Sequence, residues 1–407
     1  MKKLTLFGRS VLLMGSLSLA NAMCWIAAGI LFGRKSETQP ILSLALLAWT
    51  LGLRHALDAD HISAIDNATR GLINTGQLPI TCGLFFSLGH STIVIAVNVA
   101  IAISTTIYNK LDGIGTIGGI VGSAVSGSFL FIVALANSII LYQILRRRRA
   151  ASKRAEENYT PEVVEAHHDH MLMLRILGPI INFVNKPWKM YPVGILFGFG
   201  FDTASSIALL AVSALAVRRS DGTSVPRGYI VILPFLFTFA MALLDSADSV
   251  LMLYSYSGFP EHSWALFEPS VTESETVSGP PRLDDKAPEP DVAQLTRDQR
   301  VKMNVMSKLS IVLTIMSILV AFSISLITIM GLIGDQCTPC QRAANAPDGG
   351  GLAGKWWRGW ANANDNSGYI GAAIVGGFVF LVAFWYLVRH LRLRGQVGTI
   401  QAEATNG

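Results

Sequence analysis

Charge is what this sequence has least of. Asp, Glu, Lys and Arg make up 14% of the 407 residues, little more than half the share of ~25% with which a soluble domain covers its surface. A soluble globule is excluded on that ground. Cysteine is scarce as well, and four in a chain of this length exclude a disulfide framework. Two motifs are missing. Without a G-x-x-x-x-G-K-[ST] loop the chain has no nucleotide engine of its own, and without H-E-x-x-H it lacks the usual zinc-hydrolase pair. Eight histidines that form no repeated boxes are poor material for an intramembrane di-iron oxygenase. The sequence does not read as an enzyme.

What is present is apolar length. Uninterrupted apolar stretches lie near 11–33, 41–66, 79–107, 118–145, 191–217, 228–256, 309–334 and 369–388, most of them long enough to cross a bilayer as helices. The first contains Ala20-Asn21-Ala22, which resembles a signal-peptidase site, but its apolar character continues through Trp25 and Ile26 to Phe32 and predicts an uncleaved span. With the N-terminus inside, the inner segments hold 22 Lys and Arg and the outer ones 9, Arg54 being the one left inside a span. That asymmetry follows the positive-inside rule, and the net charge of +5 reports orientation rather than nucleic-acid binding. The expected fold is all-α: a polytopic integral membrane protein with eight transmembrane helices and both termini cytoplasmic.

The spans divide the chain into segments. Residues 1–145 carry helices 1–4, and 146–190 form a basic cytoplasmic loop that opens on Arg146 to Arg149 and is expected to hold an interfacial helix. Residues 191–256 carry helices 5 and 6. The acid-, Pro- and Ser-rich 257–308 segment is expected to be a disordered cytoplasmic loop. Residues 309–407 carry helices 7 and 8, an outer loop with Cys337, Cys340 and interfacial Trp356, Trp357 and Trp360, and a short tail. For the cysteine pair a local disulfide, free thiols and metal capture are all open.

Ionisable side chains inside the spans cost a few kcal/mol each on insertion scales, so each is a functional-site hypothesis. The second span reads Arg54-His55-Ala56-Leu57-Asp58-Ala59-Asp60-His61-Ile62, with Asp66 near its end. His90 lies in the third, Asp202 in the fifth, and Asp245 and Asp248 in the sixth. Neutral imidazole together with carboxylate is a ligand set for a divalent transition ion, which supplies the positive charge that these spans lack. The competing explanation is that the groups satisfy one another as helix–helix contacts, with Arg54 pairing Asp58. Geometry constrains the metal reading: at ~100° per residue Arg54, Asp58 and His61 share a stripe, whereas His55 and Asp60 stand ~140° apart. The second span is therefore expected to distort near Ala56 to Ala59, or to have its ligand sphere completed by other helices.

The run from Arg54 to Ile62 resembles the second-span signature of the nickel/cobalt transporter family, R-H-A-x-D-A-D-H-I. Gly89 to Val94, Gly200 to Ser206 and Met241 to Asp248 resemble three further motifs of that family. The resemblance implies a secondary permease that takes up Ni(II) and Co(II), an eight-helix plan and residence in the cell membrane. It implies His55, Asp60 and His61 as principal metal residues, with His90, Asp202, Asp245 and Asp248 supporting. Asp58 stands in the same motif, and Arg54 is assigned a structural and electrostatic role. The expected partners are the divalent metal substrate and the lipid bilayer, with no resident cofactor, nucleic acid or ATPase. Ser205-Ser206 replaces a family pattern that ends in glutamate, which bears on metal preference. His167, His168 and His170 in the inner loop keep an efflux protein as the alternative, with an intramembrane metalloenzyme further behind.

Overall fold

The computed structural model describes residues 4–34, 36, 38–74, 76–103, 108–156, 184–199, 226–257, 266–267, 308–381, 383, 384 and 387. These are almost entirely helical: α1 Leu6–Phe32, α2 Pro40–Ala56, α3 Ala59–Asn74, α4 Cys82–Ile103, α5 Tyr108–Glu156, α6 Met190–Gly198, α7 Ile232–Ser257, α8 Lys308–Gln336, α9 Thr338–Ala344 and α10 Gly351–Asp365. A shorter apolar helix follows at Ser367–Leu381, here α11. Five of the described helices are long and apolar enough to cross a membrane, and a sixth span arises when α2 and α3 are taken as one helix bent by 52°.

Local sequence explains where the helices start. The Thr5 hydroxyl accepts the Gly8 amide at 2.9 Å and caps α1, and Pro40 at the head of α2 needs no amide partner there. Sidedness is that of a membrane bundle. On α1, Leu12, Leu19, Met23, Ile26 and Ile30 are exposed at helical spacing, while the opposite stripe of Ser10, Leu17, Asn21, Ala28 and Phe32 is buried. An apolar stripe facing outward and a partly polar one facing the partners is the pattern lipid selects, because hydrocarbon gives no hydrophobic drive between helices. Hydrogen bonds and close packing take over. Asn21 donates to the Phe239 carbonyl at 2.8 Å and accepts from Trp49 Nε1 at 3.0 Å, joining α1, α2 and α7.

Helix α7 is the hub, packed against α1, α2, α3 and α4, while α5 pairs with α8 and α4 with α6. The α4–α6 seam is backbone on backbone. A Cβ on Gly89 would run into the Tyr191 carbonyl, and one on Gly194 into the Phe86 carbonyl, so no larger residue fits at that approach.

Several sequence expectations shift. The second span does not stop at 66. It breaks at Leu57 and Asp58 and resumes as a helix that runs on to Asn74, so Arg70, which falls between the second and third apolar stretches, is 3% exposed in the bundle. The fourth span continues through the arginine run to Glu156. Of the fifth only α6 and Phe199 are described, and Asp202, the 258–265 and 268–307 parts of the acidic loop and most of the C-terminal tail lie outside the described residues.

Candidate metal centre

The break in the second span builds the site. The Leu57 amide bonds the Arg54 carbonyl and the Asp58 amide bonds the His55 carbonyl, each at 3.0 Å, so α2 ends in tight three-residue turns. Helix α3 starts afresh, its Ile62 amide bonding the Asp58 carbonyl at 3.2 Å. The resulting bend brings His61 to His55, six residues away, with ring centroids 4.5 Å apart. The expected distortion is present, as a break and not a π-turn. Completion by another helix is also present: His90 of α4 lies 4.7 Å from the His55 ring and 4.9 Å from that of His61. One ligand atom from each of the three imidazoles can be chosen so that all lie within 4.8 Å of one another.

Carboxylates stand behind two of the rings. Asp58 Oδ2 lies 2.8 Å from His55 Nδ1, and an ionised carboxylate only accepts, so this nitrogen is the donor. His55 Nε2 lies 3.0 Å from His90 Nε2. Asp245 Oδ2 lies 3.4 Å from His61 Nδ1 and is itself held by the Ser87 hydroxyl at 2.5 Å. Such a carboxylate fixes the ring's orientation and raises its basicity toward a metal. Two nitrogens remain without a partner in the buried cluster, His61 Nε2 and His90 Nδ1. Orphaned polar atoms in a protein interior are rare and ask for a ligand.

The other candidates fall around this centre. Asp60 turns its Oδ1 back to accept the His61 amide at 2.9 Å and lines a cavity of about 350 Å³ together with His55, His90, Asp58 and Arg54. Arg54 is exposed, and Asp58 takes His55 as its close partner, with Arg54 acting on it at longer range. Asp248 is buried with neither carboxylate oxygen bonded, within electrostatic reach of Asp66 and Asp245. Asp202 lies outside the described residues.

Sequence reasoning missed Ser87, whose signal was its place one turn before His90 on the same helix. It also missed a second polar cluster. Arg70 donates to Asn67 Oδ1 at 2.6 Å and to Ser317 Oγ at 3.3 Å, Asn137 donates to the same Asn67 oxygen at 2.6 Å, and the Ser317 hydroxyl donates to Asp66.

The profile of a family described as high-affinity nickel-transport protein matches residues 41–273. This chain belongs to that family. It is 53% identical to the high-affinity nickel transport protein of Cryptococcus neoformans var. grubii, over 95% of this chain and 90% of that one. It is also 40% identical to the high-affinity nickel transport protein of Cupriavidus necator, over 64% of this chain and 70% of that protein. The cobalt transport protein of Rhodococcus rhodochrous is 40% identical over 55% of this chain and 63% of its own. No solved structure matches the chain. The nickel-transport match contains His55, His61 and His90 and the carboxylates behind them, whereas α1 and α8 to α11 lie outside it.

Proposed function

We propose that this protein is a secondary permease that takes up Ni(II), and Co(II) beside it, through the imidazole site in its helix bundle. One observation carries the reading: three histidines from α2, α3 and α4 converge inside the membrane with ligand atoms within 4.8 Å. His55, His61 and His90 bind the ion, Asp58 and Asp245 orient the rings, and Asp60, Asp202 and Asp248 serve the path on either side. The charges support this assignment. Three neutral imidazoles and two carboxylates sum to −2, so a divalent ion leaves the loaded site neutral, which is the state that a low-dielectric interior tolerates. Imidazole favours late first-row ions over Mg and Mn, which prefer oxygen.

The bundle is completed as eight spans with both termini in the cytoplasm, in the plasma membrane. No ATPase partner is required. A membrane potential supplies about 2.3 kcal/mol per charge per 100 mV, hence about 4.6 for a divalent cation.

Radiolabelled nickel and cobalt uptake into proteoliposomes, with a potential imposed in either sense, tests the reading. Accumulation driven by a negative interior and lost in His61→Ala is the expected result. Absence of metal flux under both potentials would overturn it, and flux only outward would reassign the protein to export.

A further inference from the structure

The cavity beside the imidazoles is not closed by the family's own motifs. Its far wall comes from the end of α10 and the start of α11, where Asn364, Asp365 and Ser367 face the same space as His55, Asp60 and His90. This wall belongs to the 337–365 hairpin, which lies outside the stretch that the nickel-transport profile matches. Asn364 and Asp365 are exposed, so the cavity reaches the surface at this edge, while His61 lies behind it with no exposure.

The hairpin is held in place. A disulfide joins Cys337 and Cys340, settling the pair as a local staple. Arg358 donates to the Ala344 carbonyl at 2.6 Å and to the Gly349 carbonyl at 2.8 Å, tying α10 to the preceding turn. Helix α10 returns along α8, where Gly331 faces the Asn364 side chain and Gly334 the Trp357 ring. At the end of this path α11 docks on the broken span itself. A Cβ on Gly368 would sit 3.1 Å from Asp58 Oδ1 and 3.5 Å from Arg54 Nε, and one on Gly371 would run into the Leu57 carbonyl. Asp365 is thus fixed at the mouth of the cavity by a covalent staple on one side and by the α2–α3 break on the other.

We propose that Asp365 and Asp60 form an entrance site that captures a hydrated divalent cation before it reaches the imidazoles. Two properties of the cavity fit this ligand. An ion with about six waters, at about 30 Å³ each, needs roughly 180 Å³, and the cavity offers about 350 Å³. Its ionisable walls hold Asp60 and Asp365 against Arg54, beside Asp58, which is paired with His55, so the mouth is net negative, as a cation requires. His90, 2% exposed and with its Nδ1 unpartnered, lines the same cavity, so an ion held at the mouth faces a ligand of the inner site. Carboxylates suit an ion that still holds its water shell through oxygen contacts, whereas imidazoles suit the ion that has shed it. The order of the two sites is therefore chemical as well as spatial.

The proposal rests on the nickel reading for its ion, and two readouts separate the failures. The first is equilibrium binding of radiolabelled nickel to the purified full-length protein. His61→Ala is expected to lose the tight event and keep a weaker one, and adding Asp365→Asn to remove the weaker one, with Asp365→Glu restoring it. The second is uptake. Asp365→Asn is expected to raise the half-saturating nickel concentration about 3- to 10-fold at low ionic strength with the maximal rate within 2-fold, the scale on which a single charge steers an approaching ion. Lys355→Gln, a charge change on the same hairpin away from the cavity, is expected to leave it unchanged. Weak binding that survives Asp365→Asn, or an equal shift from Lys355→Gln, overturns the entrance site. Protein that binds nickel through Asp365 yet moves none would overturn the permease and leave the entrance site standing.

Discussion

Helix α3 carries two buried polar clusters, and they differ in who provides the positive charge. Around His61, three imidazoles and two carboxylates meet with no Lys or Arg among them, and His61 Nε2 and His90 Nδ1 lack partners. Around Arg70, one guanidinium sits with Asp66, Asn67, Asn137 and Ser317 in a network that ties α3 to α5 and α8. One cluster brings its own cation in Arg70. The other brings none, and it lies beside a cavity. On the proposed function, intramembrane polarity has two uses in this chain, adhesion and passage, and the source of the positive charge distinguishes them.

Removing an imidazole gives the largest expected effect on the passage side. His55→Ala or His61→Ala is expected to lower nickel uptake at submicromolar metal by at least about 100-fold, since no other ligand replaces it, while immunoblots of the membrane fraction show wild-type amounts. Near-normal uptake would erase the distinction between the clusters. The adhesion side is expected to fail by unfolding. Arg70→Met strands Asp66 in the bundle at a cost of about 3 kcal/mol, seen as lost monodispersity and earlier thermal unfolding in detergent. Arg70→Met combined with Asp66→Asn is expected to recover most of that loss, and nickel uptake per folded molecule is expected to stay near wild type throughout.

Smaller effects sharpen the comparison. Ser87→Ala frees the Asp245 carboxylate from its hydroxyl and loosens the His61 ring, with an expected loss of about 10-fold in nickel affinity by equilibrium binding. Unchanged affinity would show that Asp245 needs no support. Smallest is Arg54→Ala, expected to reduce protein amount or turnover a few-fold with the Ni/Co uptake ratio unaltered. A changed ratio with normal expression would move Arg54 into the recognition site.

The passage cluster was legible in the sequence because its residues are adjacent. His55, Asp58, Asp60 and His61 crowd into seven positions, and the helical wheel already required a distortion where the structure breaks at 57–58. The identity of the distortion was not legible, since a bulge and a break answer the same angular mismatch. The adhesion cluster escaped for the opposite reason. Asn67 and Arg70 read as a loop on hydropathy, with Asp66 at the end of the span before it, and what makes them membrane-compatible is Asn137 and Ser317, about 70 and 250 residues away. The hairpin escaped similarly: its cysteines and tryptophans were noticed as interfacial chemistry, but nothing local says that Asp365 lines the same cavity as Asp60. Asp202 stays an expectation, outside the described residues.

The seam between α4 and α6 gives the bundle a mechanical division of labour. Because Gly89 and Gly194 press main chain to main chain, those two helices behave as one strut, and His90 rides on it. His55 and His61 ride on two other rods, separated by the knee at Leu57 and Asp58. An ion gripped by all three imidazoles, as proposed, would act as a cotter pin through three parts that otherwise meet mainly across α7. On that proposal, loading would stiffen the knee and release would let it flex, so that the cargo itself would lock and unlock the frame that carries it.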